Sequence, residues 1–337
     1  MVGISIIICC YNSAKRLPDT LRYLSCQNND VNIPWEIIIV DNNSGDDTQM
    51  VAISEWGKYE LKKIGFRIVE EKKMGLSNAR NKGVAVAKYD LIIFCDDDNL
   101  LCKDYLQVAF QLMNDKPDVG VLGGEGIAVA DVDFPNWWDE VSSSYAVGKQ
   151  AEKSGYVNDR GYVWGSGMVT RKHLLERVFD KRFPSLLSDR KGEALTSGGD
   201  SEICLRALFL NYNLYYDERL CYKHYITSNR LSLSYKENLF EGHREADVII
   251  RKYQKVLGYK KKKLATRLLT SFSTIKYILD TQFKKTSINR NHIYHELYLE
   301  LFLEWEFNFI PCDSNYKKIV RFKKKQRKYT VKKEKND

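Results

Sequence analysis

The first 125 residues alternate between two hydrophobic periods, and this alternation narrows the possible folds more than any other feature. Ile4–Cys10, Trp35–Asp41, Phe66–Glu70 and Leu91–Cys95 are short runs rich in β-branched residues and bounded by polar breakers. Between and after them, helical spacing appears near Ala14–Cys26, Thr48–Trp56, Ser77–Ala87 and Lys103–Asn114. Strand followed by helix, four times over, predicts an α/β fold with an open, mostly parallel sheet and right-handed crossovers. Ligands of such sheets sit beyond the carboxyl ends of the strands, at the switch point. That rule singles out Tyr11–Asn12, Asp41–Ser44 and Asp96–Asn99, each directly after a strand.

From about Gly120 to Lys223 the pattern turns irregular, with glycines and aromatics and one clear helix after Gly198-Gly199-Asp200. Beyond Ser234 the chain reads as helical through about Phe309, interrupted at Lys261–Lys263 and ended by Ile310-Pro311. The longest apolar runs are far too short to span a bilayer. The first of them opens near residue 4 with no basic segment before it, so the expectation is a cytoplasmic protein without a secretory signal. Eight cysteines, with no Cys-x-x-Cys pair and with Cys9, Cys10, Cys95 and Cys204 in apolar segments, read as reduced core thiols. The net charge of +9 resides wholly in the segment from Tyr316 to Asp337; the preceding residues balance.

Ile92-Ile93-Phe94-Cys95-Asp96-Asp97-Asp98-Asn99 carries the strongest chemical signal. Three consecutive carboxylates at the end of a buried strand repel one another, and a hard divalent cation offsets that repulsion. A solvated helix cap before Leu100 is the competing reading of the same residues. Asp41 ends another strand at the same crevice, where it can accept from a ribose hydroxyl or a base N–H, or simply hold a turn. Arg80 falls in the first turns of a helix, suited to phosphate or to a solvated face. Asp200 follows two glycines at a helix start, where a carboxylate can take a proton from an attacking hydroxyl or cap the helix.

Four ordered segments together resemble a family 2 glycosyltransferase of GT-A type. They are Ser5-Ile-Ile-Ile-Cys-Cys-Tyr-Asn12, Val40-Asp-Asn-Asn-Ser-Gly-Asp-Asp-Thr48, Gly75-Leu-Ser-Asn-Ala-Arg-Asn-Lys-Gly83 with Phe94-Cys-Asp-Asp-Asp98, and Ser197-Gly-Gly-Asp-Ser-Glu-Ile-Cys-Leu-Arg206. Cys9-Cys10 stand where the family usually has Pro-Thr, and Gly199 stands where it usually has Glu. The resemblance covers residues 3 to 230 and implies a GT-A catalytic domain over 1–230, with a nucleotide-sugar half to about 125 and an acceptor half from 126. A helical region over 231–310 and a basic tail over 311–337 follow.

By the same resemblance, Asp41 holds the nucleobase or ribose with Tyr11 and Asn12 nearby, and Arg80 contacts base or diphosphate. Asp96 faces ribose and sugar, Asp97 lies between, and Asp98 binds Mn²⁺ or Mg²⁺, joined by His224. Asp200 is the general base of an inverting transfer from a nucleotide sugar, by family habit a UDP-sugar, to a glycan or lipid-linked acceptor. Trp164-Gly165 resembles the segment lining the donor sugar. Glu202 and the pair Trp137-Trp138 are weaker candidates for the acceptor, the tryptophans reading equally as a buried aromatic cluster. The implied setting is cell-surface polysaccharide synthesis, such as capsule or O-antigen.

The basic tail, near an aromatic-rich stretch over Tyr294–Phe309, suits the anionic inner leaflet and peripheral membrane association. Nucleic acid is not expected as a partner, because the remaining chain is charge-balanced and the tail is poor in stacking aromatics. His292 and His295 have no third ligand in the sequence and read as surface residues. A metal-dependent nucleotidyltransferase would carry a Gly-rich basic loop after the first strand, which Cys9–Arg16 is not. A dinucleotide oxidoreductase would show Gly-x-Gly-x-x-Gly there. A glycan-binding protein that has lost the chemistry would have no need of Asp96, Asp98 and Asp200 together.

Overall fold

The computed structural model of the protein describes residues 1–187, 189–190, 196–258 and 313–333. Four parallel strands, β1 (Ile4–Cys10), β2 (Trp35–Asp41), β3 (Gly65–Glu70) and β4 (Leu91–Asp96), lie in the order β3-β2-β1-β4. Every residue of β2 is buried, as the near-continuous apolar runs of a doubly covered parallel sheet require. Successive residues of β1 serve opposite layers. Ile6 and Ile8 pack with Leu17, Leu21 and Leu24 of α1 (Leu17–Ser25), and Ile7 packs with Ala79 and Val84 of α3 (Leu76–Val86). The three leucines of α1 recur at spacings of four and three, which puts them on one helical face. Helices α2 (Thr48–Gly57) and α4 (Tyr105–Asp115) complete the first half.

The second half continues the same sheet through β5 (Asn99–Leu101), β6 (Val119–Val129), β7 (Gly155–Tyr156), β8 (Val169–Arg171) and β9 (Asn213–Tyr225). The order becomes β3-β2-β1-β4-β8-β6-β9-β5, with β7 also paired to β9. Strand β8 runs antiparallel to both β4 and β6, and β6 runs parallel to β9. The short helix α5 (Trp138–Val141), then α6 (Lys172–Val178) and α7 (Gly199–Phe209), accompany these strands.

The irregular pattern read over Gly120–Lys223 therefore conceals two long paired strands. Strand β6 is Val-Gly-Val-Leu-Gly-Gly-Glu-Gly-Ile-Ala-Val, and its glycines blur the alternation that marks a strand. They are there for close approach. A Cβ on Gly124 would lie 1.7 Å from the carbonyl oxygen of Leu220 in β9, a distance no side chain tolerates. The cysteine expectation needs one correction: Cys102 and Cys221 form a disulfide that joins the end of β5 to β9. The other core thiols behave as read. Burial pushes Cys9 up to about 12 and carries Cys10 and Cys95 well above the usual thiol range, which keeps them unreactive.

Two compact units are present, Met1–Ile250 with Arg321–Asp337, and Arg251–Val320. Helix α8 (Leu233–Leu257) opens the helical region, and α9 (Ser314–Lys333) ends the described chain. The aromatic stretch Tyr294–Phe309, His292, His295 and Lys261–Lys263 lie outside the described residues. Within the second unit Lys252 Nζ meets Asp313 Oδ2 at 2.6 Å. The described part of the tail is a helix with one side buried. Ile319, Phe322 and Gln326 recur at spacings of three and four and are buried. Phe322 packs edge-on against Phe183 and beside Phe209, with the Arg206 guanidinium over its ring. The larger unit thus extends past residue 230 and includes part of the tail.

Candidate active site

Strand register sets the frame of the site. Cys10 pairs with Asp41 and Cys9 with Asp96, so the ends of β2 and β4 flank the end of β1. At an interstrand spacing of about 4.8 Å, the two aspartate backbones are separated by roughly 10 Å across one sheet edge. Asp41 is buried, and its carboxylate accepts from Ser44 N–H at 3.0 Å and Gln49 Nε2 at 2.6 Å. Asn12, with φ of 51°, leans over the same edge; its Oδ1 accepts from Gly45 N–H, while its own N–H donates to Ser44 Oγ. Tyr11 beside it is exposed.

Asn42 anchors the next element. Its Nδ2 donates to the carbonyls of Glu71 and Lys73, and its Oδ1 accepts from Gly75 N–H at the start of α3. That clamp fixes the first turns of α3 and with them Arg80. The guanidinium of Arg80 is buried over the Phe94 ring, and its Nη1 meets Asp189 Oδ2 at 3.1 Å. Burial pushes the Asp189 carboxyl up, and Arg80 opposes the rise.

The three consecutive aspartates point to three different partners. Asp96 Oδ2 accepts from Ser166 Oγ at 3.1 Å. Asp97 is held by Arg16 Nη2 at 2.5 Å, and Thr20 Oγ1 donates to its carbonyl. Asp98 Oδ2 meets Arg230 Nη1 at 2.8 Å, and Asp98 Oδ1 lies 3.5 Å from His224 Nε2. Burial and the adjacent Asp98 charge raise the Asp97 carboxyl. Burial would raise Asp98 as well, yet His224, Arg230 and Arg16 hold it below the usual carboxylate range. The proton-binding tendencies of the two neighbours are thereby driven apart.

His224 reaches Asp98 because Asn99 of β5 pairs with His224 of β9. Its Nδ1 lies 2.7 Å from the Tyr145 carbonyl, an acceptor only, so Nδ1 carries a hydrogen, and Nε2 faces Asp98 Oδ1 with Arg230 Nη1 3.3 Å away. An oriented imidazole beside an ionised carboxylate fits a divalent cation. Among the described residues no cluster of three or more His, Cys, Asp or Glu side chains forms a metal cage. Two protein ligands, with phosphate oxygens supplying others, is the coordination Mg²⁺ commonly takes.

The last part arrives with α7. Asp200 stands in its first turn, where Oδ2 accepts from Gly165 N–H at 2.9 Å and Oδ1 from Ser201 N–H at 2.7 Å. Gly165 and Ser166, adjacent in sequence, therefore bind Asp200 and Asp96 respectively. A Cβ on Gly165 would sit 2.7 Å from Arg80 Nη2 and 3.3 Å from the Asp200 Cβ. Trp164 is buried with its N–H donated to Gln150 Oε1, and Arg160 lies over its ring.

Four of the candidates, Glu202, Trp137, Trp138 and Asp97, have protein partners of their own. Glu202 is buried; it accepts from Leu186 and Leu187 N–H groups and pairs with Arg206 at 2.8 Å, so its carboxylate serves the protein interior. Trp138 is core, packed on Phe134 and Tyr145, and Trp137 is half-buried beneath Lys236. Asp97 is engaged by Arg16 rather than left open to a donor. Sequence reading also missed Arg16, Arg230 and Asp189. Arg16 stands at the N-cap of α1, Arg230 in a 3₁₀ turn over Ser228–Leu231 and Asp189 ten residues before Gly199, and only the fold brings each to its partner.

Residues 5–179 match the sequence model described as Glycosyl transferase family 2. The chain belongs to that family. Its relatives include bacterial glycosyltransferases. The putative glycosyltransferase EpsH of Bacillus subtilis is 25% identical over 71% of this chain and 65% of its own length. The amylovoran biosynthesis glycosyltransferase AmsB of Erwinia amylovora is 30% identical over 33% of this chain and 36% of its own. The chain thus spans less than two thirds of the length of these relatives. Among solved structures, S. aureus TarS 1–349 in complex with UDP-GlcNAc superposes with a TM-score of 0.55 at 16% identity, covering 97% of this chain and 92% of that one. That likeness concerns the fold, a GT-A-type sheet flanked by helices.

Proposed function

We propose that this family 2 member transfers a sugar from a nucleoside diphosphate donor to a hydroxyl of a glycan or lipid-linked acceptor, with inversion, in cell-surface polysaccharide synthesis. One observation carries the reading: consecutive residues Gly165 and Ser166 bind Asp200 and Asp96, which brings the α7 carboxylate to the strand-end acids. The polysaccharide setting is supported by relatives such as the amylovoran enzyme and the poly-beta-1,6-N-acetyl-D-glucosamine synthase of Staphylococcus epidermidis. A uridine diphosphate donor is supported by the TarS complex.

In this reading Asp41, with Tyr11 and Asn12, receives the nucleoside, and Asp96 with Trp164-Gly165-Ser166 borders the sugar. Arg80 lies behind them as a fixed positive charge. Asp98 and His224 hold Mn²⁺ or Mg²⁺, which supplies Lewis-acid stabilisation of the departing diphosphate. Asp200 takes the proton of the acceptor hydroxyl as that oxygen attacks the anomeric carbon. Two backbone N–H groups fix its carboxylate, so the base is oriented before the acceptor arrives. Peripheral attachment to an anionic membrane is part of the proposal, supported by the exposed Lys317, Lys318, Arg321 and Lys324 of α9. Among the described residues no helix is long and apolar enough to cross a membrane.

A thermal-shift series with UDP and UDP-sugars, with and without Mn²⁺, tests the proposal, since a ligand of the native state raises its melting temperature. The intact chain is expected to show a shift that Mn²⁺ enlarges, and Asp98→Ala to lose the Mn²⁺ increment. A shift indifferent to Mn²⁺ in both proteins removes Asp98 from any metal role.

A further inference from the structure

Asp189 is ten residues away from α7 in sequence, yet its carboxylate sits against the helix's first residue. Its Oδ1 accepts from Gly199 N–H at 3.1 Å, a bond to the helix start that the N-cap residue Gly198 cannot make itself. Its Oδ2 pairs with Arg80 in a contact where both side chains are more than nine-tenths buried. The backbone of Asp189 takes φ of 55°, a left-handed conformation that non-glycine residues hold only when their surroundings impose it. Thr196 Oγ1 donates to its carbonyl and helps to impose it.

Gly199 records the same arrangement from the other side. A Cβ there would lie 2.1 Å from Asp189 Oδ2, so position 199 stays bare because Asp189 occupies its side-chain space. Arg80 in turn has a choice of anions, since Asp96 and Asp200 as well as Asp189 act on its charge. Its Nη2 already lies against Gly165, the residue whose N–H orients Asp200.

We propose that Asp189 is a positioning residue for Asp200: it balances Arg80, keeps that guanidinium from pairing with the Asp200 carboxylate, and pins the first turn of α7. The proposal rests on Asp200 being the base. Without the Asp189 charge, Arg80 is left buried beside Asp200 and Asp96 as its remaining counter-charges, and a buried guanidinium without its partner repositions toward them. An Asp200 drawn into an ion pair is displaced from the acceptor hydroxyl. Asp200 acts only on the acceptor hydroxyl, so its displacement falls on kcat.

The test moves the carboxylate from one position to the other. Asp189→Asn should lower kcat by about tenfold or more with little change in donor KM, because small displacements of a base are costly. Gly199→Glu alone should also be impaired, from the collision with Asp189. Combining Gly199→Glu with Asp189→Gly returns an acid to the same space and should recover most of kcat. Gly199→Gln with Asp189→Gly fills that space without the charge and should not recover it. Equal recovery by Glu and Gln, or a folded Asp189→Asn protein with unchanged kcat, overturns the proposal. Should Asp189→Asn fail to fold, the Glu and Gln pair still decides. Transfer that survives in Asp200→Asn defeats the base assignment itself, a result distinguishable from either.

Discussion

At the residue scale, the site works by assigning each acid a partner before any ligand is present. Asp98 turns to Arg230 and His224, Asp97 to Arg16, Asp96 to Ser166, and Asp200 to two backbone N–H groups. Replacing Asp200 by Asn keeps shape and hydrogen-bonding capacity but removes proton affinity. We expect kcat to fall by about 10²–10⁴-fold while calorimetric donor affinity stays within about twofold, and a large loss of affinity would contradict the role. His243 gives a pH prediction. Burial lowers its imidazole pKa, Arg190 adding to the fall and Asp200 opposing it. The unfolded chain therefore binds more protons than the fold once pH drops below about 6.5, and stability is lost as pH falls toward the depressed value. His243→Gln should flatten the decline of melting temperature between pH 7.5 and 5.5; matching slopes for the two proteins would remove His243 from the account. The strand-end acids were legible in sequence because carboxylates placed directly after a buried apolar run mark the edge of a parallel sheet where ligands bind. Their cationic partners Arg16 and Arg230 were not, nor was Asp189, the partner of Arg80, because no local pattern dictates which distant segments meet.

At the scale of elements, the parallel half was legible nearly residue by residue. Leu91–Cys95 was read one residue short of β4, and Thr48–Trp56 one short of α2. Continuous apolar strands and amphipathic helices announce themselves when both faces of a sheet are covered. Strands β6 and β9 did not. In β6 the glycines answer to backbone approach rather than to alternation, and in β9 Asp217-Glu218-Arg219 breaks the apolar run. Gly124→Ala should consequently force the two strands apart and cost at least about 1–3 kcal/mol in urea unfolding. An unchanged midpoint would mean that β6 and β9 can separate at no cost.

At the scale of the whole molecule, the C-terminal helix shows how one segment can carry two kinds of information. Phe322 and Gln326 dock on the larger unit, with Lys323 and Lys325 over the Phe209 and Phe183 rings, while Lys317, Lys318, Arg321 and Lys324 are exposed. Each Lys or Arg near an anionic leaflet contributes about 1 kcal/mol. Reversing Lys317, Lys318, Arg321 and Lys324 to Glu in the full chain should then lower partitioning onto anionic vesicles by at least on the order of 10²-fold, at unchanged binding to neutral ones. Equal sedimentation of both proteins with anionic vesicles would refute the membrane proposal. Sequence alone determined the alternating layers, the edge of the sheet where acids gather and the charge of the tail, because periodicity and composition are properties of neighbours along the chain. Tertiary structure decided which charges meet, why position 199 is bare, and that Cys102 finds Cys221. Those facts depend on distances between segments a hundred residues apart or folded back by loops, which no local repeat encodes.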